Sequence, residues 1–418
     1  MIYSMGFAKS NLNVELEGTK VMAELLPNKV GVSLTGIEEV RRSLQNPIGS
    51  QALQNLVKPG EKVVIITSDI TRPLPSKVVL PPVLEALYQA GVSNEDITIV
   101  FGMGIHRFHT EEERKYLVGE DIYAKIRCVD SDPQDYVSLG HTKNGTPVEI
   151  FRIVAEADRR ICLGNIEYHY FAGYSGGAKA IMPGVSTRAA IQANHRNMVR
   201  EEAHAGNLTT NPVRLDIDEV VDFVSIDFIV NVVLNEKKII IKAVSGHYFE
   251  AHREGCRFLD SLFKVKIPAK ADIVITSAGG YPKDINLYQA QKALDNAKHA
   301  VRKGGVIILV ASCKEGLGED VFEEWMLTAK QPEELIHKIM QDFQLGGHKA
   351  AAIAMVMQDA EVYLVSELED NFVQSLFMKP FADLQLALTK ACEKMGKEAT
   401  VIFMPVGGST LPFVEEPI

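Results

Sequence analysis

The 418-residue chain has only five cysteines, Cys128, Cys162, Cys256, Cys313 and Cys392, and they are widely separated. With an odd count and no CxxC pair, neither a disulfide framework nor a zinc knuckle is indicated; they read as small buried hydrophobes of a reduced protein. The chain also lacks basic excess. Its net charge is −10, without long runs of one sign, which argues against a nucleic-acid footprint and leaves solubility as the plain role of the acidic surface. No apolar run approaches the roughly 20 residues of a membrane helix. The opening "MIYSMGFAKSNLNVELEG" has neither the basic start nor the apolar centre of a signal peptide. A cytoplasmic protein without nucleic-acid or membrane partners is expected; none of these features specifies an oligomeric state.

What is present is a core. Apolar residues make up 46% and charged residues 23%, an ordinary globular balance, and the length suits two or three domains. Short β-branched runs, "KVVIIT", "DITIVFG", "RICLGN", "DFIVNVVL", "DIVITS", "GVIILVA", "EVYLVS" and "TVIFMP", read as buried strands. Helical patterns such as "PSKVVLPPVLEALYQAGV" and "INLYQAQKALDNAKHAVRKGG" lie between them, the second expected to stop at Gly304 and Gly305. The alternation predicts an α/β fold with largely parallel or mixed sheets flanked by helices. The Pro-containing link near residues 258–272 divides it into two domains, 1–265 and 266–418.

In open α/β sheets ligands collect beyond the carboxyl ends of strands. Here those ends carry Asp69 and Arg72; His106, Arg107 and His109; Glu167, His169 and Lys179; and Lys283, with Gln289 and Lys292 on the helix that follows. Spacing by three places Gln289 and Lys292 on one helix face. Each has a plain alternative: a helix-capping arginine, a hydrogen-bonded histidine, a dipole partner at a helix end for His195, a solvated helix face for Gln289 and Lys292. The stretch "EYHYFAGYSGGAKAIMPG" is the most unusual. Gly173, Gly176 and Gly177 free the backbone beside Lys179. It is not GxxxxGK[ST], since alanines flank the lysine and no hydroxyl stands ready for magnesium. GxGxxG is missing as well. Lys179 is left as a charge partner or a covalent attachment point, the latter because burial can make its amine neutral. His106 and His169 could face a substrate as acid and base, and His195 could ligate a metal.

The pieces "DITRPLP", "GIHRFHTEEE", "EYHYFAGYSGGAKAIMPGV", "NHR" and "YQAQKAL" resemble, in their order and in two-domain length, the nickel-dependent lactate racemase family of 2-hydroxyacid racemases and epimerases. The resemblance implies a nickel pincer nucleotide, a pyridinium mononucleotide whose two sulfurs and one carbon hold Ni(II), attached through a thioamide at Lys179. It places the metal-ligating histidine at His195, which completes square-planar nickel. The catalytic pair falls on His106 and His169, and the substrate-holding residues on Arg72, Gln289 and Lys292. Asp69 falls at an acidic position near the cofactor ribose, with Gly173, Gly176 and Gly177 wrapping the nucleotide. The active site is expected in an interdomain cleft, the substrate is a 2-hydroxyacid, lactate or a related or larger one such as a sugar acid, and cofactor-synthesis enzymes are implied as partners. His109 and Trp325 have no assignment from the resemblance. Rival readings are a zinc hydrolase built on His106, His109, His169 and His195, and a carboxylate-binding protein that never loads cofactor.

Overall fold

The computed structural model describes residues 2–415 and divides the chain into two compact α/β units. One runs from Val30 to Asp260; the other joins the residues up to Lys29 to those from Ser261 onward. All eight sequence-predicted runs are strands. In the Val30–Asp260 unit the sheet order is Ile240–Gly246, Phe228–Leu234, Arg159–Asn165, Val63–Ser68, Ile97–Gly102 and Arg127–Asp130, parallel except for the antiparallel Ile240–Gly246. Four of them, Val63–Ser68, Ile97–Gly102, Arg159–Asn165 and Phe228–Leu234, are buried almost end to end. Coverage of both faces by helices is why they read as continuous apolar runs and not as alternation. The core on one face gathers Val63, Ile65, Ile97, Ile99, Ile161 and Phe228 with Val79, Leu80 and Val83 from the helix Ser76–Gln89.

The second unit has six parallel strands in the order Lys379–Phe381, Ala360–Val365, Val301–Val310, Ala271–Ser277, Thr400–Met404 and Lys20–Glu24. The sequence placed residues 1–265 together, yet Lys20–Glu24 hydrogen-bonds to Thr400–Met404 as an edge strand. Tyr3, Phe7 and Leu12 pack on this second core. A pairing across some 380 residues leaves no local mark. The helix expected to run to Gly304 is also shorter, Leu287–Ala297 with Lys298 as its C-cap. Val301 already pairs with Ala271, so Gly304 and Gly305 lie inside the strand Val301–Val310. Trp325, 1% exposed and against Gly347, is core. No helix among the described residues is long and apolar enough to cross a membrane.

Candidate active site

The carboxyl ends of three neighbouring parallel strands in the Val30–Asp260 unit carry the first group of residues. Asp69 follows Val63–Ser68 and is 3% exposed. Its Oδ2 accepts a hydrogen bond from His106 Nδ1. Its Oδ1 accepts from the Thr71 backbone N–H at 2.7 Å and from Thr71 Oγ1 at 2.5 Å. Burial alone would raise this carboxyl; the His106 contact, Thr71 and Arg72 outweigh it and hold it below the usual range. A carboxylate on Nδ1 fixes the tautomer of His106 with its lone pair on Nε2. Asp69 thus has its side chain on the histidine.

His109, which the sequence left unassigned, is a strut under the same loop. Its Nδ1 donates to Asp130 Oδ1 at 2.7 Å, while Nε2 accepts the Ile70 backbone N–H at 3.1 Å. Both ring nitrogens are committed, so neither is open to a metal. Ile70 lies between Asp69 and Arg72, and His109 therefore holds in place the turn that presents both. Arg107 points away to an exposed pair with Glu113.

His169 lies in a two-residue hairpin, Tyr168–His169 against Gly173–Tyr174, beyond the strand Arg159–Asn165. Its Nδ1 accepts the Ala172 N–H at 3.2 Å, which leaves the proton of the neutral ring on Nε2. Burial, then the nearby Lys179, Arg72, His195 and Arg214, keep it well below the ordinary histidine range. The Phe171 ring stands edge-on between His169, centroid distance 4.5 Å, and His195, 4.9 Å. His195 ends the helix Arg188–His195 and is 7% exposed. Asn194 Nδ2 donates to Val213 O and to Asp216 Oδ2, so its Oδ1 is turned to accept from His195 Nδ1 at 2.9 Å. That places the imidazole lone pair on Nε2.

Lys179 sits in the short turn Gly177–Ala180. Burial first, then Arg214 and Arg72, depress its ammonium far below the ordinary lysine range, against a smaller opposing effect of Glu167. The loop is tied to that of His106: Gly184 N donates to Lys179 O, and Gly104 N donates to Gly184 O at 2.9 Å. Gly173, Gly176 and Gly177 have φ of 77°, 77° and 60°. A Cβ there would strike the Asn207 carbonyl, Asn231 Oδ1 at 2.7 Å and His252 Cγ at 2.9 Å respectively. The glycines are required by the loop's packing on protein, a cause the sequence reading did not contain.

Gln289 and Lys292 belong to the other unit, on the helix Leu287–Ala297, where the Asn286 side chain caps Gln289 N at 3.0 Å. Both are exposed. Sequence reasoning missed Lys349, which is buried with its ammonium 3.8 Å over the Tyr288 ring. Burial and then the charge of Lys292 push it down to about 7. It also missed Arg214 and His252, each 0% exposed; both lie inside helices with no motif to mark them. Among the described residues no three His, Cys, Asp or Glu side chains gather as a metal set.

Residues 7–206 match the lactate racemase N-terminal domain and residues 266–411 the lactate racemase C-terminal domain. The chain is 34% identical over 418 residues to a lactate racemase of Thermoanaerobacterium thermosaccharolyticum, covering 97% of each. It is 35% identical over 381 residues to a lactate racemase of Lactiplantibacillus plantarum, 88% of this chain and 89% of that one. The solved lactate racemase apoprotein from T. thermosaccharolyticum superposes with a TM-score of 0.86 at 32% identity, covering all of both chains. A Thermotoga maritima protein, TM-score 0.62 at 17% identity over 92% of this chain and all of that one, shares the fold. Motifs, fold and these similarities agree: the chain belongs to the lactate racemase family, an isomerase family.

Proposed function

We propose that the chain racemises or epimerises a 2-hydroxyacid, with lactate the first candidate because its curated relatives are lactate racemases. The observation that carries the reading is the complementary state of two imidazoles. His106, held by Asp69, offers a lone pair on Nε2, while neutral His169 offers an N–H. Such a pair suits the removal of a hydroxyl proton and its return. The α-hydrogen of a hydroxycarboxylate is a poor acid, so proton transfer at carbon is not what these groups are matched to.

The residues fit a nickel pincer nucleotide on three counts. Attachment needs an amine in its neutral form, and Lys179 is so disposed. The metal then needs one further donor, and the imidazole of His195, with its Nδ1 on Asn194 Oδ1, is the donor type that nickel takes. An anionic nucleotide needs cationic surroundings, and Arg72 and Arg214 supply them. When bound, this group supplies a hydride acceptor. The chain's own work is to take the hydroxyl proton of one enantiomer on His106 Nε2 and to give a proton to the opposite enantiomer from His169 Nε2; the reverse conversion runs the same two transfers backwards, His169 Nε2 accepting once it has given up its proton. Arg72, Gln289 and Lys292 hold the carboxylate and hydroxyl, arginine in bidentate fashion. Asp69 positions His106. Supply of the cofactor by synthesis enzymes sets the protein in the cytoplasm beside them.

The test is intact mass and metal analysis of the chain made in a nickel-fed host carrying the cofactor-synthesis enzymes, followed by polarimetry over a panel of 2-hydroxyacids. An adduct on Lys179, nickel, and loss of optical rotation are expected. Unit zinc without nickel would establish the hydrolase; an unmodified chain that still binds carboxylates would establish the binding protein.

A further inference from the structure

The loop that presents Lys179 exposes three backbone carbonyls, and each is held by a buried side chain. Arg214 Nε donates to Ala172 O at 3.3 Å and its Nη2 donates to Tyr174 O. His252 Nε2 donates to Ser175 O at 2.8 Å. Two residues further on, the His252 ring occupies the space a Cβ at Gly177 would need, its Cγ 2.9 Å from that position. Neither Arg214 nor His252 has any exposed surface; the proposed function gives His252 no role and uses Arg214 only as a cationic neighbour of the nucleotide.

The two arms converge on one carboxylate. Arg253 Nη1 reaches His252 Nδ1 at 2.7 Å, and its Nη2 donates to Asp218 Oδ2. Asp218 Oδ1 lies 3.6 Å from Arg214 Nη1. A guanidinium only donates, so His252 Nδ1 must be the acceptor and the ring neutral, with its proton on Nε2. The tautomer that can hold Ser175 O is thereby imposed from Asp218 outwards. Breaking a buried network of this kind at one member leaves the others unpaired, which is how it transmits a change.

We propose that Asp218, Arg214, Arg253 and His252 form a buried clamp that fixes the glycine loop and so presents Lys179 for cofactor attachment, His252 being a positioning residue. It deepens the proposed function and rests on Lys179 as the attachment point. The charged and titratable groups that face Lys179 are Arg214, Arg72, Glu167, His169 and His252. The clamp holds the amine among them and away from water. If the loop loosens, the amine gains solvent and protonates more readily.

The test uses the full-length apoprotein. Lys179 acetylation by acetic anhydride is followed by peptide mass spectrometry from pH 6 to 11, with exposed lysines as internal standards. His252→Phe keeps an aromatic ring but removes the donor; His252→Gln keeps an N–H for Ser175 O; Asp218→Asn breaks the shared carboxylate and covers the case in which His252→Phe does not fold. The midpoint of Lys179 reactivity is expected to rise by about one pH unit or more in His252→Phe and Asp218→Asn, and to stay within about 0.3 units of wild type in His252→Gln. An unmoved midpoint in folded His252→Phe or Asp218→Asn overturns the clamp. Equal shifts in His252→Phe and His252→Gln overturn it too, since packing alone would then be responsible. Intact mass after co-expression with the cofactor-synthesis enzymes is read separately, and loading is expected to fall in the clamp variants. If wild type itself gains no adduct, the cofactor reading fails while the reactivity profile still decides the clamp.

Discussion

Asp69→Asn is the sharpest perturbation of the proposed chemistry. The carboxylate has divided duties: Oδ1 accepts from Thr71 N and Oγ1, and Oδ2 accepts from His106 Nδ1. The asparagine oxygen is needed at Thr71, where both groups donate, so its NH₂ is turned toward His106. A donor opposite Nδ1 makes that nitrogen the acceptor and moves the ring proton to Nε2, the atom that must take the hydroxyl proton. The shape of the site is kept while the base is lost. General-base catalysis contributes about 10² to 10⁴ in rate, so kcat should fall by that factor, about 3–5 kcal/mol in barrier. Circular dichroism follows the conversion from each enantiomer in turn. Enantiomers have equal free energy, so for a racemisation kcat/KM must fall equally in both directions. The amount of Lys179 adduct should not change. Asp69→Asn with wild-type kcat would refute the dyad. Lost adduct with lost activity would instead return Asp69 to the cofactor.

Four further outcomes follow from the same geometry. Lys179→Ala should show neither adduct mass nor racemisation under cofactor-loading conditions. His195→Ala should keep the adduct but fall well below one nickel per chain by metal analysis. His109→Phe takes the imidazole from Asp130 Oδ1 and from the Ile70 N–H; about 1–3 kcal/mol of stability should be lost in denaturant titration, with a raised KM from the loosened Arg72 turn. Acid should destabilise the apoprotein: burial depresses His169 and His252 in the folded chain well below the ordinary histidine value, so below about pH 6.5 the unfolded chain binds protons that the folded chain refuses. Stability is therefore full above that pH and lost as pH falls, by roughly 1.4 kcal/mol per unit for each such histidine. Urea titrations between pH 7 and 5 should show His252→Gln with the shallower slope, and equal slopes would show that His252 is not buried as a neutral ring.

The sheets were legible because strands buried on both faces read as continuous β-branched runs. The grouping of Asp69, His106 and His169 was legible for a related reason: each follows such a run within a few residues, and parallel strands deliver their carboxyl ends to one edge. What was not legible depends on partners distant in sequence. The strand Lys20–Glu24 has no local sign that its neighbour is Thr400–Met404. Asp69 was placed by resemblance near a ribose, because a motif carries residue types and not the hydrogen bonds between them.

The glycines show most clearly how a correct motif can carry an incomplete cause. Three glycines beside a lysine suggest a backbone shaped around a ligand, and the positive φ values agree. Yet the space a Cβ would need is already taken by Asn207, Asn231 and His252. Asn231 is in the strand Phe228–Leu234 and its Oδ1 accepts Gly177 N at 2.8 Å; His252 is in the helix Glu250–Phe263. The loop is therefore moulded from the protein side first. Gly176→Ala separates the two causes, because it puts a Cβ onto Asn231 Oδ1 and strains a backbone at φ 77°, at a cost of about 1–3 kcal/mol. If packing is the reason for the glycine, the apoprotein should lose that stability in denaturant with no cofactor present. If only ligand approach required it, the apoprotein would unfold like wild type and the loss would appear solely in adduct formation. Lys179 can be neutral and still held because the loop beneath it is set by buried charge before any ligand arrives.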